Sequence, residues 1–207
     1  IHTAFDVGDE PLLISQYTSV WVSKEKKEGV LAAYKTGAEI VLLDDGYQNF
    51  SIAKNLNILV FDAELNLKNE RIFPLGNLRE SPSSAIARAD FLICVGSPIS
   101  RKNLRQTFMQ HYNSKIIEGK FKPNIMPMLK KRKLVAFCGI GRPEKFFSML
   151  GDLNMKVIDQ ISFPDHHFYS KKQITTILEI AEKHNALVVT TEKDYVKIPT
   201  TYKKVIY

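Results

Sequence analysis

Two cysteines and one tryptophan in 207 residues are few, and no apolar run approaches the ~18 residues that a membrane-spanning helix needs. Cys94 and Cys138 each sit inside an apolar, strand-like run. They read as buried thiols rather than a disulfide or a metal pair, which suits a reducing compartment. No signal-peptide pattern opens the sequence, and no internal repeat or low-complexity segment interrupts it. Nucleic-acid-binding motifs are also lacking. Lysines gather at residues 24–27, 130–133 and 203–204 without interleaved aromatics, so the basic clusters read as solvated surface. Among ten glycines, Gly139-Ile140-Gly141 matches neither the dinucleotide nor the phosphate-loop fingerprint. Close packing of a helix on a strand is the reading preferred for it, over an anion-binding turn.

What is present is ordinary for a globular chain: 44% apolar and 25% charged residues, enough for one domain or a domain and a half. The net charge of +7 favours anionic partners, phosphorylated substrates or an acidic membrane surface, with nucleic acid disfavoured by the missing motifs. Apolar strand-like runs at residues 20–22, 40–43, 57–62, 90–95, 114–121, 134–138, 157–163, 186–189 and 205–207 alternate with helical patterns at 24–35, 82–89, 101–112, 144–150 and 170–185. The opening residues 1–6 show neither pattern. This alternation predicts an α/β fold with a mostly parallel sheet flanked by helices. The proline- and lysine-rich residues 123–133 suggest a soft boundary, giving a core region 1–122 and a second, smaller α/β subdomain 123–207.

The organising stretch is Glu39-Ile40-Val41-Leu42-Leu43-Asp44-Asp45-Gly46-Tyr47-Gln48. Its unalternated apolar run predicts a strand buried on both faces. The paired carboxylates at its end suit a hard cation and, through it, phosphates, or else form a plain Asp-Gly turn. Asp9 precedes Pro11 and an apolar run, so it caps a helix or serves as a carboxylate that accepts a proton. On the loop of residues 63–77 and its exit, Arg79 can grip a phosphate and Glu80 can join a metal shell, or the two make a surface ion pair. Pro164-Asp165-His166-His167 ends a strand with a histidine suited to tuning a base; a helix-capping turn is the alternative. Thr191-Glu192-Lys193-Asp194 reads as a structural charge network.

In order along the chain, Gly8-Asp9-Glu10-Pro11, Asp44-Asp45-Gly46-Tyr47-Gln48, Leu78-Arg79-Glu80, Arg88-Ala89-Asp90, Cys138-Gly139-Ile140-Gly141, Pro164-Asp165-His166-His167 and Thr191-Glu192-Lys193-Asp194 form a series that closely resembles the tetraacyldisaccharide 4'-kinase family of lipid A synthesis. The likeness runs from Gly8 to Pro199. The resemblance implies a P-loop-kinase-like fold, ATP and magnesium as cofactors, and phosphorylation of the 4'-hydroxyl of a lipid disaccharide 1-phosphate at the cytoplasmic face of the inner membrane. It implies Asp9 as catalytic base with His166 beside it, and Asp45 as catalytic. Asp44, Asp45 and Glu80 would sit at the metal, and Glu10, Gln48 and Arg79 at phosphate or substrate. It says nothing of oligomeric state.

Three departures from the family pattern stand out. The glycine-rich phosphate loop ending in Gly-Lys-Thr does not occur in these residues, so the expectation is a fragment lacking the N-terminal part of the fold. Asn49 stands where the family usually has histidine, and Leu67-Lys68-Asn69-Glu70 replaces a glycine-bearing loop. The C-terminal end also looks clipped. The alternatives are a non-catalytic remnant or a metal-dependent phosphohydrolase using Asp44 and Asp45.

Overall fold

The computed structural model describes residues 2–63, 71–76, 78–108, 115–123 and 126–207. The expected helix over 101–112, the strand over 114–121, the loop 63–77 and the boundary 123–133 each fall partly outside the described residues. So does the whole Leu67-Lys68-Asn69-Glu70 loop. Two compact units emerge, Ile1–Val22 with Asn124–Tyr207, and Ser23–Pro123. The first 22 residues therefore do not group with the Asp-Asp-Gly region, as the division at 122/123 had it. Two short helices, α1 (Ala4–Val7) and α2 (Asp9–Ile14), lie against one another, and α2 packs on a late helical turn described below.

The C-terminal unit is built on a parallel sheet of β4 (Lys133–Cys138), β5 (Lys156–Ser162) and β6 (Ala186–Val189), in the order β5-β4-β6. Leu134, Val135, Ala136, Phe137 and Cys138 of the central strand are all fully buried, which explains their unalternated apolar pattern. One face of the sheet carries Val135, Phe137 and Val188 onto Ile174, Ile177 and Ala181 of α7 (Lys171–Lys183). The spacing of those three residues sets one stripe of the helix inward. A capping box between Ser170 and Gln173 starts α7. The other face packs Leu134, Ala136 and Cys138 on Phe146 and Leu150 of α6 (Pro143–Asp152). The last turn of helix, α8 (Glu192–Tyr195), begins at the cap Thr191 and is the one that meets α2.

The other unit contains α3 (Lys26–Lys35) and the parallel sheet β1 (Ile58–Asp62), β2 (Phe91–Val95) and β3 (Lys115–Gly119), in chain order. Helix α4 (Pro82–Ala87) is capped by Ser81, whose hydroxyl accepts the Ser84 N–H, and α5 (Pro98–Phe108) follows β2. A small core joins Ile86, Leu92, Cys94 and Ala63.

Several sequence expectations change. Residues 40–43 form no strand; Ile40 and Leu42 are 81% and 87% exposed. An apolar run becomes a strand only when a neighbour takes up its backbone hydrogen bonds, and none pairs with it among the described residues. Residues 20–22 stay irregular for the same reason. Strand β1, for all its apolar residues, is half-exposed, with Val60 59% exposed. Residues 205–207 make a single bridge, Ile206 to Val188, instead of a strand. The opening segment holds the helix α1. Asp9 occupies the first position of α2 and Gly8 its cap, so Asp9 is not the capping residue. Both cysteines are buried thiols outside any disulfide, and no helix among the described residues is long and apolar enough to cross a membrane.

Candidate active site

In the C-terminal unit, Gly8 turns the chain into α2 at φ +91°, in the left-handed region open to glycine. That turn delivers Asp9 into the protein, where it is 6% exposed although charged. His166 meets it: its Nδ1 lies 3.1 Å from both Asp9 carboxylate oxygens. His166 itself has φ +55°, an uncommon conformation for a non-glycine residue. The neighbouring Asp165 holds that turn, accepting the His166 N–H at 2.9 Å. A constrained backbone at a side chain aimed at a buried carboxylate is characteristic of functional sites.

Two lysines surround the pair. Lys193 Nζ is 3.1 Å from Glu10 Oε1, 3.9 Å from Asp165 Oδ1 and 4.0 Å from Asp9 Oδ2. Lys197 Nζ lies 3.6 Å from Asp9 Oδ2 and 2.8 Å from Asp194 Oδ1. Burial pushes the Asp9 carboxyl up, but Lys193, His166 and Lys197 together outweigh it and hold Asp9 below its ordinary 3.8. For Lys193, burial pulls down while Glu10, Asp9 and Asp165 push further up, so the net direction is up.

Asp194, fully buried, anchors the arrangement. It accepts the Gly139 N–H at 3.0 Å, the Tyr169 hydroxyl at 2.8 Å and the Thr191 hydroxyl at 2.7 Å. Burial and the Asp194 charge push the Tyr169 phenol far up, so it remains a donor. Gly139 has a steric reason: an added Cβ would come within 3.0 Å of the Pro164 carbonyl and the Tyr169 hydroxyl. The close neighbour is thus the loop after β5, not the helix that the sequence suggested. His167 belongs to the scaffold. Its ring stacks on Phe163 at 4.8 Å, and its Nε2 is 3.2 Å from Gln173 Oε1.

The other unit holds a separate set. Asp44 and Asp45 lie in a turn where Asp45 has φ +48°, and a Cβ on Gly46 would strike the Leu43 Cβ at 2.4 Å. The Asp44 carbonyl accepts from Lys26 Nζ at 2.7 Å, and the Asp45 carboxylate pairs with Arg79. Glu80 is gripped by Arg88 Nη2, 2.8 Å from both its oxygens, and by Gln48 Nε2 at 2.9 Å. The Arg88 guanidinium lies over the rings of Tyr47 and Phe50, 5.3 and 5.1 Å from their centroids. The Tyr47 hydroxyl donates to the Ala85 carbonyl, fixing this aromatic on α4. Burial pushes the Glu80 carboxyl up, Arg88 and Gln48 pull it down, and the net direction is below 4.5.

Asp44, Asp45 and Glu80 have the hard oxygens that magnesium takes, but they do not form a shell as placed. Arg79 occupies Asp45, while Arg88 and Gln48 occupy Glu80. No group of three His, Cys, Asp or Glu that could hold a metal occurs among the described residues. As placed, these carboxylates build no complete shell of their own, so a hard cation here would need oxygens from a ligand as well.

The structure thus sets His166 against Asp9, links Asp9 and Glu10 through Lys193, pairs Asp45 with Arg79, and pairs Gln48 with Glu80. The sequence reading missed Lys197 and the grip of Arg88, and left Lys193 in a purely structural network. Spacing carried a signal for Lys197: it lies three residues after Asp194, the helical distance for a side-chain pair.

The family model for tetraacyldisaccharide-1-P 4'-kinase, LpxK, matches residues 1–206. The tetraacyldisaccharide 4'-kinase of Paramagnetospirillum magneticum is 40% identical over 199 residues, covering 96% of this chain and 60% of its own length. That of Gluconobacter oxydans is 38% identical over 204 residues, covering 97% and 61%. The chain therefore spans about 60% of the length of these curated relatives. Among solved structures, the "apo" form of LpxK from Aquifex aeolicus in complex with ATP superposes with a TM-score of 0.68 at 30% identity, covering 96% of this chain and 62% of that one. A match over nearly every residue, in sequence and in fold, shows that this chain belongs to the tetraacyldisaccharide-1-P 4'-kinase family.

Proposed function

We propose that the chain carries the acceptor-activating part of an ATP-dependent lipid kinase, with Asp9 taking the proton of the acceptor hydroxyl. The buried Asp9, held against His166 and kept ionised by Lys193 and Lys197, is the observation that carries this reading. The hydroxyl oxygen bonds to the γ-phosphorus of ATP, the bond from that phosphorus to the β–γ bridging oxygen breaks, and ADP leaves with the electron pair. The hydroxyl proton passes to Asp9, leaving a phosphate monoester. A carboxylate held below the ordinary range is a weak base, yet it suffices here. In a loose phosphoryl-transfer transition state the attacking oxygen bonds little, so its proton departs late. His166 orients the carboxylate and limits where it can turn.

The acceptor fitting the family name is the 4'-hydroxyl of a tetraacyldisaccharide 1-phosphate, an acidic lipid that the +7 net charge would attract at an anionic inner-membrane surface. In this reading Arg79 and Gln48 contact phosphate, and Glu10 helps to place substrate. Magnesium enters with the nucleotide's phosphates, since it is usually held by one or two carboxylates plus substrate oxygens. Asp44 and Asp45 would be those carboxylates.

Labelled ATP, magnesium and the tetraacyl disaccharide 1-phosphate test the reading. They are given to this chain and to the chain joined to the N-terminal segment of the Aquifex aeolicus relative. Weak or no transfer is expected from the 207 residues alone, which contain no Gly-Lys-Thr phosphate loop. Transfer is expected in the joined form, with Asp9→Asn lowering kcat by roughly 10²–10⁴-fold. A joined protein that transfers phosphate equally well with Asn at position 9 overturns the assignment of Asp9. Silence of the joined protein under every condition supports a non-catalytic remnant.

A further inference from the structure

Lys197 has the features of a residue that acts on Asp9 without reaching the acceptor. Its side chain is 1% exposed, beside an Asp9 side chain at 6% and an Asp194 side chain at 0%. An ammonium buried this deeply requires paired charge around it, and both carboxylates supply it. Lys193 cannot substitute: at 22% exposure it is divided among Glu10, Asp165 and Asp9, and Asp9 is the farthest of the three. His166 approaches Asp9 from the more exposed side, its own side chain 57% exposed. The groups facing Asp9 are thus His166, Lys193 and Lys197 directly, with Asp165, Glu10 and Asp194 behind them.

We propose that Lys197 is a positioning residue for the Asp9–His166 pair, its buried ammonium bridging Asp9 to Asp194 and so tying the proton-accepting carboxylate to the turn after β4. The link is continuous: Lys197 touches Asp194, whose other oxygen accepts the Gly139 N–H. The ring of Tyr169, 5.6 Å from Lys197 Nζ, donates its hydroxyl to the same Asp194. The carboxylate of α2 is thereby fixed to the sheet from within, and stays charged however the outer face is solvated. This proposal rests on the reading of Asp9 as proton acceptor.

The test is carboxyl-carbon NMR of aspartate in the 207-residue chain across acid pH, for the unaltered protein, Lys197→Gln and Lys197→Arg. Loss of the cation is expected to raise the Asp9 midpoint by roughly 1–3 pH units, the effect of an opposite charge at this range. Arginine, which keeps the charge, should return most of it. A folded Lys197→Gln chain whose Asp9 midpoint does not move overturns the proposal. Should that variant fail to fold, the unaltered chain decides. Its Lys197 Nζ resonance must shift with the Asp9 midpoint, and a resonance indifferent to that titration sinks the idea. In the joined protein, Lys197→Gln should move the acid limb of kcat/KM upward by the same amount while leaving the KM for ATP in place. The two failures are distinct. An Asp9→Asn protein that keeps its activity defeats the function assigned to Asp9, whereas an essential Asp9 deaf to Lys197 defeats only the positioning role.

Discussion

The two units handle charge in opposite ways. In the C-terminal unit Asp194 is fully buried, Asp9 nearly so, and the buried Lys197 pairs with both. In the Ser23–Pro123 unit the Asp45–Arg79 pair stands 64% and 60% exposed, at the end of an apolar run that is itself open to solvent. Buried charges hold each other's ionisation and geometry, because removing either leaves the other stranded. Exposed charges are screened by water and salt, and take their geometry from whatever binds them. One unit therefore carries a buried set of charges that hold one another, and the other an exposed pair held only loosely.

The comparison is tested most severely at Asp194. Asp194→Ala leaves the buried Lys197 with only the more distant Asp9 carboxylate, 3.6 Å away, and frees the Gly139 N–H and the Tyr169 hydroxyl. Chemical denaturation should show a loss of roughly 3–5 kcal/mol, the cost of stranding a buried charge. A loss below about 1 kcal/mol, the range of an exposed pair, would mean that the network is wetter than its burial shows.

Glu80 gives an intermediate case inside the second unit. Its side chain is 19% exposed, and Arg88 and Gln48 both bond it. Glu80→Ala should cost roughly 1–3 kcal/mol, as for hydrogen bonds to a charged group. A cost as small as that at the exposed pair would remove Glu80 from the scaffold and return it to the candidate metal ligands.

Much of this contrast was legible beforehand, and the part that was not has a physical cause. The apolar run Leu134-Val135-Ala136-Phe137-Cys138 read as a strand, and it is one, packed on both faces. The run Ile40-Val41-Leu42-Leu43 carried the same signal and forms no strand, because a hydrophobic pattern reports what could be buried and not which neighbour is present to bury it. At the site, Asp9 stood out before Pro11 and an apolar run, His166 at the strand end Pro164-Asp165-His166-His167, and their pairing only through the family resemblance. Lys197 did not, since a lysine in an apolar stretch between Val196 and Ile198 reads as solvated surface until the fold closes over it.

Acid acts directly on the buried carboxylate of the C-terminal unit. Asp9 is held below 3.8 in the folded chain, so it adds stability above its unfolded value and loses it as pH falls through the lower, folded one. Melting temperature followed from pH 7 to pH 3 should decline below about pH 5 for the unaltered chain. The decline should be shallower for Asp9→Asn, which has no proton to take up at that position. Parallel curves would show that other carboxylates carry the acid response.

The smallest effect is expected at Asp45 and Arg79. Each side chain is more than half exposed, so their attraction acts through solvent and the ordering of two side chains offsets most of it. A double-mutant cycle with Asp45→Asn and Arg79→Ala should give a coupling of about 0–1 kcal/mol, falling towards zero as salt shortens the screening length. Such a weak bond is what a phosphate needs if it is to draw Arg79 away from Asp45, since a strong one would have to be broken first. A salt-resistant coupling well above that range would mean that the pair is built into the Asp44-Asp45-Gly46 turn. The two units would then differ in exposure alone, and not in how firmly they hold their charges.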